Sequence, residues 1–188
     1  MSVIDPIYNV ESFLDQCLQS IKEQSLTNIE VICINDGSTD RSLEIIERFA
    51  GEDTRFIVLD KANEGYGASC NRGLDMAQGN YVAIVEPDDY LLPDMFKDMT
   101  DFADSFSLPV DIIKTPWFDV KNWNMKETEK VTPGYLYRRI ETSRETFTLD
   151  NHPILIETHP SIWSALYRRE FLDSEQIRFH PYPGAGWA

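Results

Sequence analysis

Basic residues are scarce: 17 Lys and Arg stand against 32 Asp and Glu, which gives a formal charge of −15 over 188 residues. A field of that sign repels polyphosphate backbones unless a basic patch is set apart, and Arg138-Arg139 and Arg168-Arg169 are the only adjacent basic pairs. Nucleic acid is therefore not the expected partner. Cysteine is scarce as well. Cys17, Cys33 and Cys70 are odd in number and lack a C-x-x-C spacing, which argues against a disulfide framework and fits small buried hydrophobes in a reducing compartment. His152, His159 and His180 lie too far apart, with too little cysteine around them, for a zinc site. No apolar run approaches the ~18 residues of a membrane span, and no basic-then-apolar start marks a signal peptide. A cytoplasmic location is expected, free or at the inner face of the membrane.

Hydrophobic residues make up 42% of the chain, enough for one sizeable core, so a single domain is expected. Residues 2–7 read as a short strand with Pro6 near its end, and Asn9 stands where it can cap the next element. Val10, Phe13, Leu14, Cys17, Leu18 and Ile21 then recur with helical spacing. A β-branched strand follows at 29–34, and Asp36-Gly37-Ser38-Thr39-Asp40 is a turn rich in capping residues that leads into a helix carrying Leu43, Ile46 and Phe49. The alternation continues with a strand at 56–59, a helix at 68–77 and a strand at 81–85. Pro93 opens a helix whose inward face carries Met95, Phe96, Met99, Phe102, Ala103 and Phe106, and a strand follows at 110–114.

Such alternation predicts the α/β class, with a largely parallel central sheet flanked by helices and ligands bound beyond the carboxyl ends of its strands. From Trp117 to about Leu149 the periodicity fades into polar sequence with a turn at Pro133-Gly134. We read this as an excursion within the domain, about 1–115 forming one half and about 116–188 the other. Residues 161–167 read as a returning strand and 169–173 as a short helix.

Four motifs sit after strands. Glu86, Asp88 and Asp89 place three carboxylates within four positions, and such a cluster repels itself unless protons or a cation intervene. Mg²⁺ and Mn²⁺ take oxygen ligands, and Mg²⁺ commonly uses one or two carboxylates together with substrate phosphates. The plain alternative is a solvated acidic turn that caps the next helix. In Asn35-Asp36-Gly37-Ser38-Thr39-Asp40, Ser38, Thr39 and Asp40 are placed to cap, whereas Asp36 is freer to accept a hydrogen bond from a uracil imide or a ribose hydroxyl. Tyr8, in Pro6-Ile7-Tyr8-Asn9, either stacks on a nucleobase or covers the sheet edge. Asn63-Glu64-Gly65-Tyr66-Gly67 has a G-x-G but no third glycine and follows the third strand, which argues against a nicotinamide-binding fingerprint and leaves a ligand-approaching loop or a simple turn.

Taken together, the motifs resemble family 2 glycosyltransferases of GT-A fold. Pro-x-Tyr-Asn, Asn-Asp-Gly-Ser-Thr-Asp, Asn-x-Gly-x-Gly running into Asn71-x-Gly73, and Gly79-x-Tyr81 before an Asp-rich turn occur in the family's order over the first half of the chain. The resemblance implies a nucleotide-sugar site that includes Pro6, Tyr8, Asn9, Asp36, Gly65, Gly67, Asn71 and Asp88. It implies a divalent metal, Mn²⁺ or Mg²⁺, on Asp88 and Asp89, with Glu86 as a further candidate. The family more often has Asp at position 86, Asp at 35 and Arg at 70, where this chain has Glu, Asn and Cys. The stretch Trp163-Ser164-Ala165-Leu166-Tyr167-Arg168 resembles the acceptor-side return of bacterial members, where Trp163 either supports an acceptor sugar or fills the core.

The implied reaction moves a sugar from a nucleoside diphosphate, UDP by family habit, to a hydroxyl of a carbohydrate or lipid-linked acceptor, with inversion. The family's general base follows the segment corresponding to 181–187, so it is expected beyond Ala188, in a chain shortened relative to the active enzyme. A sugar nucleotidyltransferase and a non-catalytic nucleotide-sugar-binding module are the alternatives; the first usually has a basic Gly-rich loop after strand one, which is missing here.

Overall fold

A computed structural model describes residues 1–121, 130–133, 146, 148, 150, 151 and 161–182. His152, His159, Gly134 and residues 183–188, on which several expectations rest, lie outside these. The chain forms two compact units, one of residues 1–113 with 166–188 and one of residues 114–165.

The first unit begins β1 (Ser2–Ile7), α1 (Glu11–Lys22), β2 (Glu30–Asp36), α2 (Ser42–Glu52) and β3 (Phe56–Lys61). It continues with α3 (Tyr66–Met76), β4 (Tyr81–Ile84), α4 (Met95–Asp104) and β5 (Ile112–Lys114). After the second unit the chain returns as β8 (Ala165–Arg168) and α5 (Arg169–Ser174). The sheet order is β3-β2-β1-β4-β8-β5; β1, β2, β3 and β4 run parallel, while β8 pairs antiparallel with β4. Both sheet faces are covered, so β1 and β2 are buried almost end to end, as their β-branched runs require. The spacing read along α1 is realised: Leu14, Cys17, Leu18 and Ile21 are buried against Val3, Ile7, Val31 and Cys33. Cys17, Cys33 and Cys70 are all free and buried, as small hydrophobes.

The second unit contains the antiparallel pair β6 (Phe118–Lys121) and β7 (Lys130–Pro133). Within it Trp163 is half-buried, its ring meeting Trp117 edge-on at 5.0 Å.

Four local expectations are corrected. The last strand starts at Ala165 and not at Ser161, because Ser161 and Ser164 join their hydroxyls across a turn. The strand expected from Val110 starts at Ile112, and α3 starts at Tyr66, two residues early. Asn9 does not cap α1, whose N-cap residue is Val10. Instead the loops before α1 and α2 cap each other. Asn9 N–H donates to Ser38 Oγ, Val10 N–H to Ser42 Oγ and Glu11 N–H to Asp40 Oδ2. In return Asn9 Oδ1 accepts from Thr39 N–H at 2.7 Å and Glu11 Oε2 from Arg41 N–H at 2.9 Å. This exchange satisfies amides that each helix leaves open and locks the end of β1 to the end of β2.

Candidate functional site

The sheet order reverses between β1 and β4: the chain steps outward through β2 and β3, then crosses back to the other side of β1. Diverging connections leave a crevice at such a point, beyond the carboxyl ends of the strands. Here it is a cavity of about 590 Å³, walled by Pro6, Ile7, Tyr8, Asn9 and Val10 after β1, Asp36 at the end of β2, Asn63, Gly65 and Tyr66 after β3, and Glu86, Pro87 and Asp88 after β4, with Phe13 and Ser69 from α1 and α3. Of the residues expected to meet a nucleotide sugar, Pro6, Tyr8, Asn9, Asp36, Gly65 and Asp88 line it. Tyr8 is 48% exposed, a large aromatic face left open beside the cavity.

Asp36 is not the loose carboxylate that its place in the turn suggested. It is buried and salt-bridged to Lys61, its register partner on β3. Its Oδ1 also accepts from Glu64 N–H at 2.8 Å, and its Oδ2 from Gly65 N–H at 2.9 Å. Asp36 thus holds the 63–66 loop against the cavity, and Gly65 meets it at φ 95°, a conformation that glycine adopts without a side-chain clash. The neighbouring Asn35 donates from Nδ2 to Asp60 at 2.7 Å and accepts from Ser38 N–H at 3.2 Å. An Asp there would meet the Asp60 carboxylate with no proton to donate.

Two other expected site residues serve packing. Asn71 does not line the cavity: its Nδ2 donates to Phe179 O and its Oδ1 accepts from Phe179 N–H, both at 2.8 Å. Gly67 is the point of closest approach to that same segment, since a Cβ there would sit 2.4 Å from His180 O. Their residue types were visible in the sequence, but the segment they hold is more than a hundred residues away.

The acidic turn after β4 is tightened by Asp89 N–H donating to Glu86 O at 2.9 Å. Glu86 accepts a 2.6 Å hydrogen bond from the Tyr66 hydroxyl. Burial raises the Glu86 pKa, the Tyr66 bond pulls it down, and the charges of Asp88 and Asp89 add to the rise. Asp89 is raised to about 6, first by loss of water and then by the Asp88 charge. Among the described residues no three His, Cys, Asp or Glu side chains converge as a ready-made metal cage. Asp88 and Asp89 offer two hard oxygen donors whose mutual repulsion a cation would relieve, and the remaining positions suit a ligand's oxygens.

A further group escaped the sequence reading. Asp5, midway along β1, is fully buried, and both of its carboxyl oxygens lack a hydrogen-bond partner. Burial raises its pKa well above the carboxylate range, and the nearby charges of Glu86 and Asp88 add to the effect. The signal was present as the one acidic residue interrupting Val3-Ile4-Asp5-Pro6-Ile7.

Compared with known proteins, residues 2–174 match the model described as glycosyl transferase family 2. The chain belongs to family 2 of the glycosyltransferases. An uncharacterized family member, glycosyltransferase EpsJ of Bacillus subtilis, is 35% identical over 179 residues, covering 95% of this chain and 51% of its own length. The uncharacterized glycosyltransferase YibD of Escherichia coli is 30% identical, with coverage of 95% and 51%. The chain thus spans about half the length of these curated relatives. Among solved structures, S. aureus TarS 1–349 in complex with UDP-GlcNAc superposes with a TM-score of 0.76 at 29% identity, over 95% of this chain and 48% of that one. The mannosyltransferase PcManGT from Pyrobaculum calidifontis, in complex with GDP-Man and Mn²⁺, shares the fold with a TM-score of 0.62 at 15% identity, over 99% of this chain and 54% of that one. The glycosyltransferase fold expected from the motifs, GT-A with a mostly parallel central sheet between helices, is the one found.

Proposed function

We propose that this glycosyltransferase domain binds a UDP-sugar in the cavity at the β1/β4 crossing and, with a divalent ion, passes the sugar with inversion to a hydroxyl of a carbohydrate or lipid-linked acceptor. The observation that carries the reading is the convergence of an open aromatic face, Tyr8, a loop held by Asp36 and the acidic turn through Glu86 and Asp88 around one cavity at the strand ends. TarS, at 29% identity, was solved with UDP-GlcNAc, which supports a uridine donor.

In this reading the base stacks on Tyr8 and the diphosphate lies toward the acidic turn. Asp88 and Asp89 would hold Mn²⁺ or Mg²⁺, and such an ion would supply positive charge to offset the negative charge growing on the departing diphosphate. The acceptor oxygen attacks the anomeric carbon from the face opposite the leaving group, which inverts the configuration. Asp88 and Asp89 are committed to the leaving side, so the acceptor's proton goes to a separate base.

Tyr8 tests the reading cleanly, since its open face contributes little to the core. Tyr8→Ala is expected to weaken UDP binding about tenfold, as loss of one base–aromatic stack does, and to leave the unfolding midpoint of the free protein unchanged. Unchanged UDP affinity measured by calorimetry would overturn the base placement.

A further inference from the structure

The family's frequent Arg at position 70 is a cysteine here, buried one helical turn from Tyr66. No cation therefore reaches Glu86 from that position. What reaches it is a phenol: Tyr66 OH donates to Glu86 Oε1 at 2.6 Å, and both side chains line the cavity.

A hydroxyl positions a carboxylate only as well as its own ring is held, and this ring is held from behind. Phe179 meets Tyr66 edge-on, with centroids 6.2 Å apart and ring planes at 83°. Phe179 is in turn fixed at its backbone by the paired bonds to Asn71 and by the close approach that Gly67 permits at His180. Arg178, next in the chain, pairs with Asp173 at 3.0 Å. A side chain in a functional site keeps its geometry when the groups behind it are themselves packed and bonded. Each link from segment 178–180 through Tyr66 to Glu86 meets that condition.

Resting on the donor-site reading above, we infer that Tyr66 is a positioning residue for Glu86, fixing that carboxylate in the cavity wall where it faces the bound nucleotide sugar. Phe179 and Asn71 support the Tyr66 ring. The longer Glu arm, which would otherwise sample several rotamers, is thereby given one orientation.

The test is a double-mutant cycle on the whole chain with UDP-GlcNAc and Mn²⁺ as probes, using Tyr66→Phe, which keeps the ring, and Glu86→Leu, which keeps side-chain bulk but removes both acceptor oxygens. Tyr66→Phe is expected to weaken UDP-GlcNAc binding about tenfold, the scale of a lost hydrogen bond to a charged group, yet less than about twofold in the Glu86→Leu background. A purely structural tyrosine would cost the same in both backgrounds, and that result would overturn the inference. Wild-type affinity in Tyr66→Phe would overturn it too. If the unaltered chain binds neither UDP nor UDP-GlcNAc, the donor-site reading itself fails and the inference falls with it.

Discussion

Asp5→Val is expected to make the protein more stable, by about 2 kcal/mol at pH 7, the scale of one buried carboxyl that lacks a hydrogen-bond partner. The strand around it is β-branched and fully buried, so valine suits the site and removes two orphaned oxygens. The effect has a direction in pH. Burial favours the protonated form of Asp5 in the folded state, so the native protein binds more protons than the unfolded one. Stability therefore falls as pH rises above about 4, the unfolded value, and keeps falling until the folded value is passed. Glu86 and Asp89 are raised in the same sense, and the Asp89 contribution is complete near pH 6. Chemical denaturation from pH 4 to 8 should show a steep decline for the native chain and a shallower one for Asp5→Val. Asp5→Asn should flatten the slope but keep most of the cost at pH 4, because its amide is still unpartnered. A native slope no steeper than that of Asp5→Val would contradict the assignment.

Asp36→Ala is expected to produce the largest loss, about 3 kcal/mol, because it strands one member of a buried ion pair. Lys61 Nζ would keep only Glu64 at 3.4 Å and the Ala62 carbonyl, while the amides of Glu64 and Gly65 would lose their acceptor. Lys61→Met in the same background should recover part of the loss by removing the stranded ammonium. Hydrogen exchange at the Glu64 and Gly65 amides should accelerate with the first change. A loss under about 1 kcal/mol by urea unfolding would show that the pair is solvated after all.

Much of this was legible in the sequence, and the reason is local. The α1 periodicity, the β-branched strands and the strand-end motifs are patterns of near neighbours, and they specify an alternating α/β sheet whose reversal point carries the candidate site. The acidic turn and the Tyr8 loop fall where the motifs predicted. What escaped was long-range pairing. Asn9 looks like a cap for the helix after it, but its acceptor is used by Thr39, thirty residues on. Asp36 looks free until β3 arrives in register and brings Lys61 against it. Asn71 and Gly67 carry family motif positions, yet their bonds and close contacts go to Phe179 and His180. Tyr66 sits inside the Asn63-Glu64-Gly65-Tyr66-Gly67 motif, and only the fold brings its hydroxyl to Glu86.

In the proposed mechanism the Asp88-Asp89 turn would join a divalent ion to the donor diphosphate. Calorimetric titration of UDP into the unaltered chain and into Asp89→Ala, each with Mn²⁺ and with EDTA, tests it most directly. Mn²⁺ is expected to strengthen UDP binding at least about tenfold in the unaltered chain, as a diphosphate sharing a divalent ion with two carboxylates would, and not at all in Asp89→Ala. Equal Mn²⁺ enhancement in both proteins would contradict it.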